Sequence, residues 1–203
     1  MYKMIKYSLI AKLFNYPQGD YSETIENLNK IFLEADISLL EKFKLPFQHF
    51  SLNREADLQE YYIKTFDVNA TCYLDIGYVL FGEDTKRGQF LLNMKAEQDK
   101  AGNDCGTEFA DHLPNILTLL PKMNDAELRE EIVVSILIPA LNQMLKNFRT
   151  EGNIYKTILE ILKDILESDF QNSQYEAFQF PTENACAGSS SCGMDYSLLK
   201  RKY

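Results

Sequence analysis

The chain has 203 residues, a formal net charge of −9 and a hydrophobic share of 45%. That length suits one domain, and the apolar share is ordinary for a chain that buries a core. The negative balance excludes a protein that works by neutralising nucleic-acid phosphates; it favours a basic peptide as partner, and solubility alone also explains it.

Six prolines and nine glycines are too few for a loop-rich β-sandwich, so helix is the cheaper assumption. The opening stretch MYKMIKYSLIAKLFNYPQGD is interrupted by Lys12 and has no small-residue cleavage site, unlike a secretory signal. No apolar run approaches the roughly 18 residues that a membrane span needs. A soluble, cytoplasmic protein without stable membrane insertion is expected. Cys72, Cys105, Cys186 and Cys192 do not suggest a disulfide scaffold at this length.

Helical periodicity recurs along the chain. Ile5, Leu9, Leu13 and Tyr16 share one stripe of a first helix that ends before Pro17. A second helix runs from Tyr21 to Leu33 with Ile25, Leu28, Ile31 and Phe32 inward, and a third from Ile37 to Phe43, broken by Pro46. Asn53 is placed to cap a fourth, with Leu58, Tyr62, Ile63 and Phe66 on one face. The segment TCYLDIGYVLFG is rich in Tyr, Val and Ile and reads as strand or helix; its helical neighbours favour helix. GEDTKRG reads as a turn before a helix over Gln89 to Lys100, with Leu91, Leu92 and Met94 apolar.

The clearest helix spans Asp125 to Phe148. Asn124 and Glu127 resemble a capping box, and Leu128, Ile132, Ile136, Ala140, Met144 and Phe148 repeat every four residues. Pro139 lies inside it, so a kink is expected there. A last helix covers Ile154 to Phe170, with Ile158, Ile161, Leu162 and Ile165 inward. The polar stretch beyond it has no period. The expected organisation is an all-α, single-domain bundle of about seven to nine helices over residues 1–170, followed by a flexible polar tail over 171–203 that carries two cysteines.

Signals for catalysis are weak. The chain contains no GxxxxGK[ST], GxGxxG, HExxH or GxSxG pattern. Cys186 and Cys192, with five residues between them, lack the second close-spaced pair of a structural zinc site. In EFADHLPNIL, Asp111 is placed to cap a helix, and Pro114 falls in its first turn, where a missing donor costs little. The same residues also present Asp111 and His112 at a helix N-terminus, a position that suits a polar ligand. Phe66-Asp67 reads as the end of one helix and the cap of the next, and Arg87 as a helix-start ion pair with Glu83 or Asp84.

In combination these pieces are more specific. The order LFNYP, YYIKTFD, CYLDIGYVLFGEDTKRG and EFADHLPNILTLL resembles the assembly chaperones of molybdenum enzymes, the TorD/DmsD/NarJ family, and within it the nitrate reductase delta-subunit (NarJ-like) branch. The likeness spans about residues 9–148. It marks Tyr62, Thr65, Phe66 and Asp67, then Tyr73, Leu74, Gly82, Arg87 and Gly88, then Glu108, Asp111, His112, Leu113 and Pro114. The chain departs from the branch pattern at Val79, Thr85 and Phe109-Ala110.

The resemblance implies a TorD-like helical fold and a cytoplasmic protein that is not an enzyme. Such a chaperone binds the N-terminal segment of the apo catalytic subunit of a molybdenum oxidoreductase, with nitrate reductase the leading client. It supports cofactor insertion and the timing of membrane attachment or export. On this reading Tyr62, Phe66 and Tyr73 supply aromatic walls, Asp67, Glu108 and Asp111 supply negative charge, and His112 senses pH or donates a hydrogen bond. Arg87 fixes the loop, and Pro114 completes the client-binding set. No catalytic residue, metal or bound cofactor is expected, and either a monomer or a homodimer fits. Two other readings stay open: a small hydrolase-like helical enzyme using His112 and Asp111, and a helical adaptor without a molybdoenzyme client.

Overall fold

The computed structural model describes residues 2–68, 70–148 and 151–180. Among them are ten α-helices: α1 (Tyr2–Leu13), α2 (Ser22–Ala35), α3 (Ile37–Leu52), α4 (Glu55–Phe66), α5 (Ile76–Phe81), α6 (Thr85–Lys100), α7 (Leu113–Leu119), α8 (Ala126–Glu131), α9 (Ile138–Asn147) and α10 (Ile154–Asp169). A π-helical segment, Ile132–Leu137, joins α8 to α9 in one rod, so the ten helices make nine rods. The fold is all-α, as the periodicity requires. No helix among the described residues is long and apolar enough to cross a membrane.

The central rod packs against α5 and α10; α10 also lies on α3, α2 pairs with α3, and α1 crosses α7 and α2. Leu128, Ile132, Ile136, Ala140 and Met144 are all buried, as the four-residue repeat predicts. The rod starts one residue later than the sequence suggests: Asp125, not Asn124, is the cap, accepting from the Leu128 amide at 2.9 Å.

Pro139 has no amide hydrogen, so the Ser135 carbonyl cannot receive the bond that a regular α-helix would give it from position 139. The chain answers in two ways. The helix widens to a π segment just before the proline, with the Ile138 amide reaching Val133. The Phe178 amide then donates to the Ser135 carbonyl at 3.0 Å. Phe178 is 8% exposed and meets Phe81 and Phe180 edge-to-face at 5.3 and 5.1 Å. The folded body therefore extends to residue 180 rather than ending at 170. Cys186, Cys192 and the rest of 181–203 lie outside the described residues.

Four local expectations are corrected. Helix α3 runs through Pro46 to Leu52, because Phe43, Pro46 and Phe50 share one buried stripe. Burial of each Phe is worth about 1.5–3 kcal/mol, which offsets the roughly 3 kcal/mol cost of the proline. Asn53 closes α3 instead of opening α4. Helix α6 begins at Thr85, where Asp84 accepts from the Lys86 amide at 2.8 Å, so Arg87 and Gly88 are helical; Phe90 and Met94 are its buried apolar residues, whereas Leu92 is 66% exposed. On α1 the inward set is Tyr7, Ile10, Ala11, Leu13 and Phe14; Ile5 and Tyr16 face solvent. The larger rings of Tyr7 and Phe14 decide the rotation.

Tyr155 stands at the centre of an aromatic cluster from α1, α3, α4 and α10. Its ring meets Phe66 at 4.6 Å, Tyr61 at 5.8 Å, Tyr62 at 5.9 Å and Phe14 at 6.1 Å. Burial pushes its hydroxyl far toward the neutral form, and Oη has no partner among the described residues. An unpaired buried hydroxyl is unfavourable by about 1–3 kcal/mol. Tyr155→Phe is therefore expected to raise the unfolding free energy by about 1 kcal/mol in urea titration, whereas Tyr155→Ala lowers it by about 3–5 kcal/mol. A destabilised Phe variant would show that the hydroxyl is satisfied.

Candidate functional site

The two segments singled out by sequence meet. Residues 74–76 cross residues 111–113 as a single antiparallel bridge between Asp75 and His112. The Ile76 amide donates to the Asp111 carbonyl at 3.1 Å, and the Leu113 amide to the Leu74 carbonyl at 2.9 Å. This crossing ties the start of α5 to the start of α7.

Asp111 closes the crossing. It is 0% exposed, and Oδ2 accepts the Gly77 amide at 2.8 Å. Asp111 therefore caps α5, across the crossing, and not α7, which starts behind His112 without a side-chain cap. Glycine is required at position 77 by space: a Cβ there would lie 2.7 Å from Asp111 Oδ2 and 2.8 Å from Phe90. Burial pushes the Asp111 carboxyl above the usual carboxylate range, against the Gly77 amide, which acts to lower it. Oδ1 is buried without a partner among the described residues.

Around this pin is a polar and aromatic surface. His112 Nδ1 lies 3.0 Å from Asp75 Oδ1, and Arg87 Nη2 lies 3.6 Å from Asp75 Oδ2. The Arg87 guanidinium also sits over the rings of Tyr78 at 5.2 Å and Phe109 at 5.8 Å. Tyr73 packs edge-on to Tyr78 at 4.7 Å. Tyr73 and Phe109 are 48% and 58% exposed, which is unusual for such large rings. The loop that carries Phe109 is held by side-chain amides, of which Gln98 and Asn103 are buried. Gln98 donates to the Ala110 carbonyl at 2.9 Å, Asn103 to Gln98 at 2.6 Å, and Asn115 to the Phe109 carbonyl at 2.9 Å.

Tyr62, on α4, packs against Tyr16 at 5.6 Å, Phe66 at 5.0 Å and Tyr155 at 5.9 Å. Burial chiefly, then the charges of Glu108, Asp67 and Asp75, push its hydroxyl toward the neutral form. Glu108 and Asp67 are exposed. Phe66 lies in the same cluster, against Tyr155 and Phe14.

The sequence-derived set thus divides. Tyr73, Arg87 and His112 meet on this surface, Glu108 is exposed beside Phe109, Asp67 is exposed at the end of α4, and Tyr62 and Phe66 pack in the cluster around Tyr155. Asp111 and Pro114 are buried and cannot present charge or contact to a partner; they build the surface from beneath. The partner of His112 is Asp75, not Asp111, so the acid–base pair imagined for a hydrolase has a different member. No hydroxyl or thiol is hydrogen-bonded to His112 among the described residues. Nor is there a group of three His, Cys, Asp or Glu side chains able to hold a metal ion among them. The other histidine, His49, packs between Phe50 and Tyr61. Asp75, Tyr78 and Phe109 were missed. Asp75 lies within the CYLDIG stretch, but only the crossing makes it the hub of His112 and Arg87. A cleft of about 680 Å³ opens elsewhere, between the ends of α1, α2, α3 and α10, and contains none of these residues.

Compared with models of protein families and with curated proteins, the chain matches none.

The buried carboxyl yields a pH prediction. Because the folded pKa of Asp111 lies above its unfolded value, the folded state holds the proton more tightly in the window above the ordinary Asp pKa of about 3.9. This group's contribution to stability therefore falls as pH rises through that window. Asp111→Asn keeps an acceptor for Gly77 and removes the titration. The stability of the natural protein relative to this variant is expected to decline from pH 4 upward in urea titrations; a difference independent of pH would contradict the assignment.

Proposed function

We propose that this chain is an assembly chaperone for a molybdenum oxidoreductase, with nitrate reductase the leading client. It binds the N-terminal segment of the apo catalytic subunit in the cytoplasm while the cofactor is inserted, and so delays membrane attachment or export. The observation that supports this reading is the meeting of two of the resemblance-bearing motifs on one surface. CYLDIGYVLFGEDTKRG contributes Tyr73, Asp75 and Arg87, and EFADHLP contributes Glu108, Phe109 and His112, while YYIKTFD supplies Tyr62 and Phe66 to the neighbouring aromatic cluster and an exposed Asp67.

The chemistry suits a peptide rather than a reaction. Two exposed rings offer stacking and apolar contact, and exposed carboxylates at Asp67 and Glu108 favour basic side chains. Arg87 is held by Asp75 and by two rings, so it orders the surface. His112 is fixed by Asp75 through Nδ1, which leaves Nε2 as the ring nitrogen available to a client carbonyl or carboxylate. A segment that becomes ordered only on binding gives modest affinity for its contact area, which suits a client that must later be released.

Synthetic N-terminal segments of molybdenum oxidoreductase catalytic subunits test the proposal by isothermal titration. Tyr73→Ala and Phe109→Ala remove exposed rings, and each is expected to weaken binding about tenfold while leaving thermal unfolding unchanged. Glu108→Gln together with Asp67→Asn should flatten the salt dependence of binding. Equal affinity in all variants would overturn this placement of the client, and absence of binding to any such segment would overturn the function.

A further inference from the structure

Residues 171–180 leave α10 without forming a helix of their own and reach both the central rod and α5. Of residues 171–180, only Phe178 is buried; Ser173 and Phe180 are half-buried and the others are exposed. The Phe178 amide meets the Ser135 carbonyl that Pro139 deprives of a helical donor, and the Phe178 ring meets Phe81, the last residue of α5.

A strap of this kind is held weakly. It forms no helix or strand, and its burial is concentrated in one ring. Segments with little buried apolar area and an exposed backbone open locally, at a free energy well below that of global unfolding. The strap therefore opens as a unit when Phe178 leaves its place.

Helix α5 is sensitive to that event because it is short. Its 6 residues are fewer than an isolated helix needs, so packing rather than propensity fixes its place. Phe81 meets Phe178 at 5.3 Å and Phe90 at 5.6 Å. Phe90 is 0% exposed, and its ring also fills the space beside Gly77, where an added Cβ would lie 2.8 Å from it. The Gly77 amide in turn donates to Asp111. Direct contacts thus run from the strap to the pin through Phe178, Phe81, Phe90, Gly77 and Asp111. In a close-packed interior the loss of one ring is felt by its neighbours, which shift into the space it leaves.

We propose that residues 173–180 are a latch for the candidate surface. While Phe178 is seated, Phe81 and Phe90 hold α5 against the pin at Gly77 and Asp111; when the latch opens, the crossing between Asp75 and His112 loosens. The surface thereby has two states, and seating or release of the strap sets the order of Tyr73 and Asp75 at the start of α5. This inference rests on the placement of the surface and not on the identity of its client.

The test is amide hydrogen exchange, followed by nuclear magnetic resonance on the full chain. Phe178→Ala is expected to speed exchange of the Ile76, Gly77 and Leu113 amides at least about tenfold, while the helical amides of Phe32 and Phe43 change less than about twofold. Phe178→Leu, a smaller loss, is expected to give the same selective pattern at about threefold, and it decides the matter where the alanine variant does not fold. Phe32→Ala, a truncation of the same size in the packing of α2 on α3, is the control and should not act selectively on the crossing. Unchanged exchange at the crossing, or a rise shared equally by Phe32 and Phe43, would overturn the proposal. Selective acceleration of the crossing in Phe32→Ala would overturn it too, by marking the crossing as merely the weakest part of the fold. None of these readouts involves a client, so failure of the latch leaves the proposed function standing, and failure of peptide binding leaves the latch standing.

Discussion

A carboxylate with no exposure to solvent holds together two segments that are 34 residues apart. Asp111 accepts the Gly77 amide across a two-hydrogen-bond crossing, and its backbone carbonyl receives the Ile76 amide from the same strand of chain. Burying an ionisable group in this way is expensive unless it is bonded. The arrangement persists because the absence of a Cβ at Gly77 lets the carboxylate approach, and because Phe90 packs on the same spot. Once this pin is in place, Asp75, His112 and Arg87 come to one surface, and Tyr73 and Phe109 are left outside it. Without the pin, the start of α5 and the loop carrying Phe109 keep only the two backbone bonds of the crossing and the His112–Asp75 contact.

Much of the bundle was legible in the sequence because helix burial follows spacing. The four-residue repeat of the central rod and the inward set of α10 are as the periodicity predicts. Errors arose where two stripes of one helix were equally apolar, as on α1, or where a proline was given more weight than the phenylalanines around it, as at Pro46. The role of residues 171–180 was hidden for a different reason. Nothing in their polar composition reveals that the Ser135 carbonyl, deprived of a helical donor by Pro139, needs the amide of Phe178.

The candidate surface was legible in outline only. Sequence spacing located Asp111 and His112 together, but neighbours in a chain that turns into a helix point in different directions. One side chain is buried against Gly77 and the other faces Asp75. Asp75 was overlooked because its importance is tertiary: it bridges a histidine 37 residues away and an arginine on the next helix. The acidic balance of the whole chain was visible from composition.

The account joins a buried pin, an exposed aromatic and acidic surface, and a proposed client that arrives unfolded. Its central claim is tested most directly by the metal content of the client. Molybdopterin oxidoreductases purified from cells lacking this protein should contain one catalytic subunit largely devoid of molybdenum, restored when the protein is supplied. Full molybdenum occupancy of every such enzyme in those cells would contradict the account.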